Sequence, residues 1–364
     1  MKVSFSSLKW GLVLAAVGFG AYTYRATASE TLAPEELLPA DAARTAHAEA
    51  AQLEADKEGL DPVAEAVAAG RQLYETWRYD EARESLELAL ELDPDSIEAW
   101  YNLGLVEFRQ PGDFARSVAA FEKAMELDPT DGRFPLGLAG AIGAQVISKG
   151  SLLAGAARVP RVKELLRASV ELDPDSIDSR KGLFQFYLRV PGLLGGGVAN
   201  AEEQAAALEA LDPVEGFIAR AQIDSDAERF EDAEAKYRAA VGEDPERGSS
   251  HRSLGEFLMR HERAVEALAS FEEGARLDPN DPASFEGLGR AQFALEQKEE
   301  AEASYRRALE LNPDSLMAAM RLGAALAERN EDAEAREVYR GIVDRLGESP
   351  WVEDAREWLE DNPE

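Results

Sequence analysis

Apolar and small residues recur along the chain at the spacing of paired amphipathic helices. The clearest stretch contains, in order, Phe285, Leu288 and Gly289, then Ala301, Tyr305 and Ala308, then Pro313. The first three residues share one face of a helix, and the next three share one face of a second helix. The proline ends the second helix, because proline and the residue before it disfavour helical continuation. The pattern predicts a pair of antiparallel helices.

The same unit recurs many times, and a dipeptide marks the end of each copy. The copies of this dipeptide are Asp61-Pro62, Asp93-Pro94, Asp128-Pro129, Asp173-Pro174, Asp212-Pro213, Asp244-Pro245, Asp278-Pro279 and Asn312-Pro313. The steps from proline to proline are 32, 35, 45, 39, 32, 34 and 34 residues. A period near 34 indicates an array of helical repeats, in which each repeat packs mainly against its neighbours.

The residues within the unit resemble the tetratricopeptide repeat, whose signature is an aromatic residue, Leu-Gly, Ala-x3-aromatic and then Pro. The second copy matches this signature with Trp100, Leu103, Gly104, Ser117, Phe121, Ala124 and Pro129. Glycine and alanine let the two helices approach closely, and the aromatic ring fills the space between one repeat and the next. The resemblance spans about residues 63–347.

The resemblance implies an all-α fold, a right-handed superhelical solenoid of about eight helix pairs at residues 63–349. Asp281, Ser176 and Ser315 are among the residues that can cap the helix that follows each proline. The third and fourth repeats, at 132–174 and 177–213, are enlarged. Residues 350–364 carry Trp351, Val352, Ala355, Trp358 and Leu359 at helical spacing, which predicts a capping helix. A partner-binding helix is the alternative interpretation of that last segment.

The N-terminus has the pattern of an export signal. Lys2 and Lys9 precede an apolar run at residues 10–24, and Ala26-Thr27-Ala28 follows it. Fifteen residues are few for a bilayer-spanning helix, which needs about 20. Residues 1–28 are therefore predicted to be a signal peptide or an uncleaved N-terminal anchor, and 10–24 is the only membrane tether that the sequence suggests. Residues 29–62 are predicted to be an acidic, Ala-rich spacer.

Charge and composition exclude several functions. The chain has 39 Lys and Arg against 71 Asp and Glu, a net charge of −32 that repels nucleic-acid phosphates. With no cysteine and only His47, His251 and His261, the chain lacks the zinc, metalloprotease and calcium-loop motifs. The sequence predicts no cofactor, no metal and no enzyme activity, because no acid, base or nucleophile constellation is present.

In the tetratricopeptide family the first helix of each pair lines the concave face, so the resemblance predicts a partner-binding groove there. Exposed groove positions share one helical stripe and hold eight basic and eight acidic residues, whereas the chain as a whole is strongly acidic. The basic set is Arg71, Arg109, Arg133, Lys181, Arg189, Arg252, Arg260 and Arg290. The same stripe carries Tyr74, Tyr101, Phe108, Met259, Phe293, Met317 and Met320. Exposed aromatic residues beside arginine are typical of peptide-binding surfaces. Packing beneath neighbouring repeats is the alternative for any one of them.

The extra residues of the enlarged repeats fall between the two helices of each pair, around 145–160 and 189–200. Insertions at equivalent points emerge on the same edge of a stack, so we expect these two to touch. Residues 184–201 resemble a segment of exported bacterial tetratricopeptide proteins of unassigned function. The second insertion forms a candidate edge loop with Pro191, Gly192, Leu193 and Leu194. Its glycines lack the Lys and Ser or Thr of a phosphate-binding loop, so they predict a tight turn.

These patterns favour an exported, periplasmic, non-catalytic scaffold that holds a segment or helix of another envelope protein in its groove. Such a scaffold would serve the assembly or maintenance of a cell-envelope complex, and it could be anchored to the inner membrane. The alternative is a structural component that docks or self-associates through its edge loops, with the groove unoccupied.

Overall fold

A computed structural model describes residues 61–109, 114–148, 152–313, 315–346 and 352–363. The candidate signal, nearly all of the spacer and Trp351 lie outside these residues. The described residues form seventeen α-helices and no strand, which confirms the all-α prediction. The chain divides into two compact units, of which unit 1 ends at Gly197 and unit 2 begins at Val198.

Unit 1 contains three helix pairs, a single helix and a short 3-10 turn. Its elements are α1 (Pro62–Glu75), α2 (Tyr79–Leu92), α3 (Ile97–Arg109), α4 (Ala115–Leu127), α5 (Arg133–Ser148), α6 (Leu152–Leu172), α7 (Ile177–Arg189) and the turn Gly192–Leu194. Consecutive helices pack against each other along the unit, so its core is a series of joints between neighbouring helices.

Unit 2 contains one helix that packs on the pair after it, four helix pairs and a terminal helix. Its elements are α8 (Val198–Leu211), α9 (Pro213–Asp226), α10 (Phe230–Glu243), α11 (Gly248–Arg260), α12 (Ala264–Leu277), α13 (Pro282–Ala294), α14 (Lys298–Leu311), α15 (Leu316–Glu328), α16 (Asp332–Leu346) and α17 (Glu353–Asp361).

An aromatic ring against glycine forms the joint between repeats. A Cβ placed on Gly255 of α11 would lie 2.8 Å from Cε1 of Phe271, and one on Gly287 of α13 only 2.2 Å from the same atom. The Phe271 ring, which belongs to α12, therefore lies against the first helix of its own repeat and the first helix of the next. Phe121 has the same relationship to Gly104 and Gly137. Larger residues at these glycines would separate the helices.

Side-chain caps and left-handed residues fix where the helices begin and end. Asp281, Ser176 and Ser315 each accept a backbone N–H at the start of a first helix, as the sequence predicts. Between the two helices of a pair, a non-glycine residue adopts positive φ at Trp77, Glu228, Glu262, Glu296 and Asn330. The last four are spaced 34 residues apart, so the repeat period is also a period of the backbone.

The enlarged third repeat lengthens its helices rather than forming a loop. Helix α5 continues to Ser148, and α6 begins at Leu152 and runs through Pro160, so most of residues 145–160 are helical. Gly155 of α6 approaches Val146 of α5, so the added turns pack on each other. The prediction of an insertion between the helices is therefore wrong for this repeat. Burial of Val159 and Val162 offsets the backbone hydrogen bond that Pro160 removes.

Helix α17 covers the end of the last pair. Val352 and Ala355 are fully buried, and they form a core with Tyr339 and Ile342 of α16. The Trp358 ring lies 5.1 Å from the Tyr339 ring. These contacts confirm the predicted capping helix.

Ion pairs link the helices of neighbouring repeats on the second-helix side. Arg263 at the start of α12 lies 2.7 Å from Glu234 of α10. This hydrogen bond, with the positive charges of Arg238 and Arg263, lowers the pKa of Glu234. In α9, burial alone would raise the pKa of Asp224, but hydrogen bonds from Lys236 and Arg229 lower it. Some of the acidic side chains of unit 2 are therefore held in structural ion pairs.

Candidate functional site

The first helices of successive pairs approach one another within each unit. Helices α1, α3, α5 and α7 do so in unit 1, and α9, α11, α13 and α15 do so in unit 2. Side chains of neighbouring repeats therefore share one surface, which we call the first-helix face of each unit. All ten residues predicted to bind a partner in the groove lie on these helices.

In unit 1 this face combines arginine with aromatic rings. Nε of Arg109 donates to the hydroxyl of Tyr74 at 3.1 Å, which joins α3 to α1. The Arg133 guanidinium lies 4.7 Å from the centre of the Tyr101 ring, and it pairs with Glu98 at 2.6 Å. A cation over an aromatic face is a stabilising contact. Arg133 thus bridges α5 to α3.

Tyr101 offers only part of its ring to a partner. Its ring centre lies 5.9 Å from that of Phe121 and 5.5 Å from that of Phe134, so it packs at the joint between two repeats. This burial raises the pKa of its hydroxyl, so the ring stays neutral through the ordinary pH range.

Phe108 belongs to the core rather than to the surface. It is only 9% exposed, and its ring lies 5.6 Å from that of Phe114 at the start of α4. The prediction that Phe108 is an exposed groove residue is therefore wrong, because Phe114 at the start of α4 packs against its ring. Arg71 is exposed on α1, whereas Lys181 and Arg189 are half-buried on α7.

In unit 2 two of the three predicted basic residues already hold a carboxylate. Arg252 of α11 lies 2.9 Å from Asp281, the cap of α13. Arg290 of α13 lies 2.9 Å from Glu256 of α11. Arg260 is exposed at the end of α11. Two of the three predicted basic side chains of unit 2 are therefore neutralised, and sequence reasoning missed that Asp281 pairs with Arg252. The opposite charges at matching positions of adjacent repeats, Glu256 and Arg290, were a signal that could have revealed the pairing.

A half-buried acid, Glu286, lies beside this pair. Burial raises the pKa of Glu286, and the negative charge of Glu256 adds to the effect. The hydroxyl of Ser315, at the start of α15, donates to Glu286. Burial likewise raises the pKa of Tyr305 to about 12. The centre of this face is thus polar but not strongly charged.

Apolar side chains complete the face of unit 2. Met259, Phe293 and Met320 are half-buried, while Met317 is exposed at the start of α15. Methionine and phenylalanine around neutralised ion pairs form a surface that can accept apolar side chains.

The edge loop is a short, well-defined turn. Pro191 precedes the 3-10 turn, Gly195 follows it with φ of 98°, and Leu193 at its tip is 86% exposed. Lys163 of α6 donates to the carbonyl of Gly195 at 3.1 Å. Lys163 lies three residues beyond the inserted segment 145–160, so this contact joins α6 to the loop of the fourth repeat from outside that segment.

The described residues contain neither a membrane-spanning helix nor a metal site. None of their helices combines the length and the apolar character needed to cross a bilayer. Nor do these residues contain a group of three or more histidine or acidic side chains placed to hold a metal ion. Residues 10–24, the candidate tether, lie outside the described part of the chain.

Comparison with a solved structure supports the fold. The crystal structure of yeast Tom70 superposes with a TM-score of 0.64 at 17% sequence identity. The match covers 83% of this chain and 64% of the Tom70 chain, so this protein spans less than two thirds of that relative. No curated protein sequence matches the chain.

Comparison with family models identifies the repeats. Tetratricopeptide-repeat models match residues 97–131, 218–282 and 287–350, and a TPR-repeat model matches residues 70–110. Together these segments cover more than half of the 364 residues. The chain therefore belongs to the tetratricopeptide-repeat family, whose fold is a scaffold for protein–protein interaction.

Proposed function

We propose that this protein is an exported, non-catalytic scaffold that holds a segment or helix of another cell-envelope protein on its first-helix faces. The observation that carries the proposal is the approach of successive first helices, which places side chains from several repeats on one surface. A bound segment can then contact several repeats at once. The N-terminal pattern of basic residues, apolar run and Ala-x-Ala supports export to the periplasm.

The chemistry of the faces specifies the partner more closely than the charge pattern does. Arg252 and Arg290 are paired with acids, so a purely acidic segment would gain little from them. Arg260 and Met317 remain exposed on the face of unit 2. The segment that fits carries apolar side chains on one side and an acidic group near Arg260. We expect such a partner to be an amphipathic helix or extended peptide.

The test is affinity capture from envelope extracts with the full chain as bait. In the variant, Arg260→Glu is combined with the exchange Glu256→Arg and Arg290→Glu, which keeps an ion pair at that position. Capture should be lost while circular dichroism stays unchanged. The matched control is Arg276→Glu on α12, an exposed arginine on a second helix, and it should capture normally.

A second variant separates the face from the edge. Leu193→Ser alters only the exposed tip of the turn, and it should leave capture intact. If capture is instead lost with Leu193→Ser and retained with the altered face, the protein docks its partner through the edge loop and the proposal fails.

A further inference from the structure

Helix α6 has the opposite charge balance to the other second helices. It carries Arg158, Arg161, Lys163 and Arg167 against two glutamates, whereas no other second helix of the described repeats has more basic than acidic residues. Over residues 133–200 the chain has nine Lys and Arg against five Asp and Glu, while the whole chain has 39 against 71. Positive charge is therefore concentrated in the part of unit 1 that holds the edge turn.

Two of these cations have little charge compensation, and one of them, Lys163, contacts the turn directly. Nζ of Lys163 lies 3.1 Å from the Gly195 carbonyl and 5.4 Å from the Tyr187 ring centre, and neither group neutralises its charge. Arg167, one helical turn further along α6, lies 3.7 Å from Glu171, and both of those side chains are more than half exposed. Exposed ion pairs of this kind are weak, so Arg167 can exchange Glu171 for another anion. The Lys163 contact also fixes the turn against α6.

The same turn exposes Leu193 more than any other large apolar residue of the described chain. Among the described side chains of unit 1, Leu172 is the other exposed large apolar residue, at 41%. A stable protein interface needs about 800 Å² from each partner with an apolar centre. One leucine beside several cations does not supply that centre. It does match the interfacial region of a bilayer, where acyl chains accept the leucine and headgroup phosphates attract the cations.

We infer that this edge of unit 1 docks on an anionic lipid surface, with Leu193 in the headgroup region and Lys163 and Arg167 against lipid phosphates. The remaining acid of the chain is repelled by such a surface, but salt screens that repulsion beyond about 10 Å. The inference does not depend on which protein binds the first-helix faces.

The experiment uses the absence of cysteine from the chain. Leu193→Cys introduces a single thiol in the full-length protein, which is labelled with an environment-sensitive fluorophore. Its emission and its quenching by lipid-borne quenchers are measured on phosphatidylcholine vesicles and on equimolar phosphatidylcholine and phosphatidylglycerol vesicles. The readout is local to the label, so insertion of residues 10–24 does not produce it. Val265→Cys is the matched control, because Val265 is 70% exposed on α12 of unit 2.

The label at position 193 should shift to the blue and be quenched only on the anionic vesicles, and the label at position 265 should stay in water. Replacing Lys163 and Arg167 by Gln should lower the partition constant for anionic vesicles about fivefold for each charge removed. Arg167→Gln alone leaves the Lys163 contact with the turn intact and should give about half of that effect on a logarithmic scale. Arg276→Gln and Arg307→Gln, on the second helices of unit 2, should change nothing.

Three results would overturn the inference. A label at position 193 that stays in water on anionic vesicles excludes lipid docking and favours a protein at this edge. Equal insertion at positions 193 and 265 means that the fluorophore itself drives binding. Insertion that is the same on neutral vesicles, or that survives loss of both cations, removes the role assigned to α6.

Discussion

One guanidinium nitrogen of Arg290, Nη1, lies 2.9 Å from both carboxylate oxygens of Glu256. The two residues occupy matching positions of adjacent repeats, and both are partly exposed. Arg290→Glu places two like charges together and should lower the free energy of unfolding by about 1 kcal/mol. The exchange Glu256→Arg with Arg290→Glu should restore most of that loss. Urea denaturation of the two single variants and the double variant measures the coupling. Additive losses would mean that the pair does not form.

Trp100 is both a core residue and a hydrogen-bond donor. It is 3% exposed, and its Nε1 donates to the carbonyl of Pro94 at 2.8 Å. Trp100→Ala should therefore cost about 3–5 kcal/mol through the cavity that it leaves. Trp100→Phe keeps most of the packing and should cost about 1 kcal/mol through the lost bond. Thermal denaturation followed by circular dichroism distinguishes them. An unchanged melting curve for Trp100→Ala would contradict the burial of this residue.

The joint at Phe271 predicts opposite effects for two glycines. A Cβ on Gly287 would lie 2.2 Å from the Phe271 ring, so Gly287→Ala should destabilise by about 1–3 kcal/mol. A Cβ on Gly341 of α16 meets nothing within 4 Å, so Gly341→Ala should stabilise by about 0.5–1 kcal/mol. Chemical denaturation of both variants is the measurement. Equal effects would show that the ring does not contact Gly287 closely.

Two glutamates should respond to pH in opposite directions. Burial raises the pKa of Glu286, so the folded state holds its proton more tightly and loses stability as pH rises through and above the ordinary carboxyl range. Glu286→Gln removes that loss and should be more stable than the parent at neutral pH, with no difference in strong acid. The measurement is urea denaturation of parent and variant across this pH range.

The hydrogen bond from Arg263, with nearby positive charge, lowers the pKa of Glu234. The contribution of ionised Glu234 to stability is therefore complete above the ordinary carboxyl pKa range, and it is lost as pH falls below that range. Glu234→Gln should therefore be less stable than the parent at neutral pH, and the difference should shrink in acid. The same denaturation series tests both residues, and a common direction of change would contradict one of the two environments.

Export can be tested without the repeats. Residues 1–62 fused to a reporter that is active only outside the cytoplasm should be active in a Gram-negative host. A size reduction on processing indicates cleavage, which is predicted after Ala28. Activity without size reduction indicates the anchored form. An inactive fusion that is present at normal levels would remove the export proposal.

The helix pairs were predictable because residues within each repeat mark where its helices begin and end. Proline, a capping residue and small residues at fixed intervals all act locally, so the positions around Gly255, Phe271 and Pro279 were enough to define one pair. The path of α6 was not predictable from such local rules. Proline within a helix costs about 3 kcal/mol, so the sequence alone favours an end of the helix before Pro160. In the structure the helix continues through Pro160, and the neighbouring Val159 and Val162 are buried.

The sequence predicted which helix face carries the candidate site, but not which of its side chains are exposed or already paired. Periodicity places Tyr101, Arg252 and Phe108 on the first helices, and the structure agrees. It does not reveal that Phe114, at the start of α4, packs against Phe108, or that the cap of α13 supplies a carboxylate to Arg252. Both effects come from residues in a different helix or turn, so they depend on how close neighbouring elements approach.

The Phe271 ring, held against Gly255 and Gly287, restricts how the length of this chain can change. A gain or loss of one whole 34-residue unit keeps the spacing between each such ring and its glycine. A gain or loss of a few residues within a helix, between its end and the glycine or ring, rotates that residue away from its partner. Residues added at the far end of the helices leave the contact in place. The enlarged third repeat is not held by such a joint, since Leu166 of α6, rather than a ring, lies near Gly182 of α7. The places where the chain is free to acquire new surface are therefore set by the spacing of its glycines.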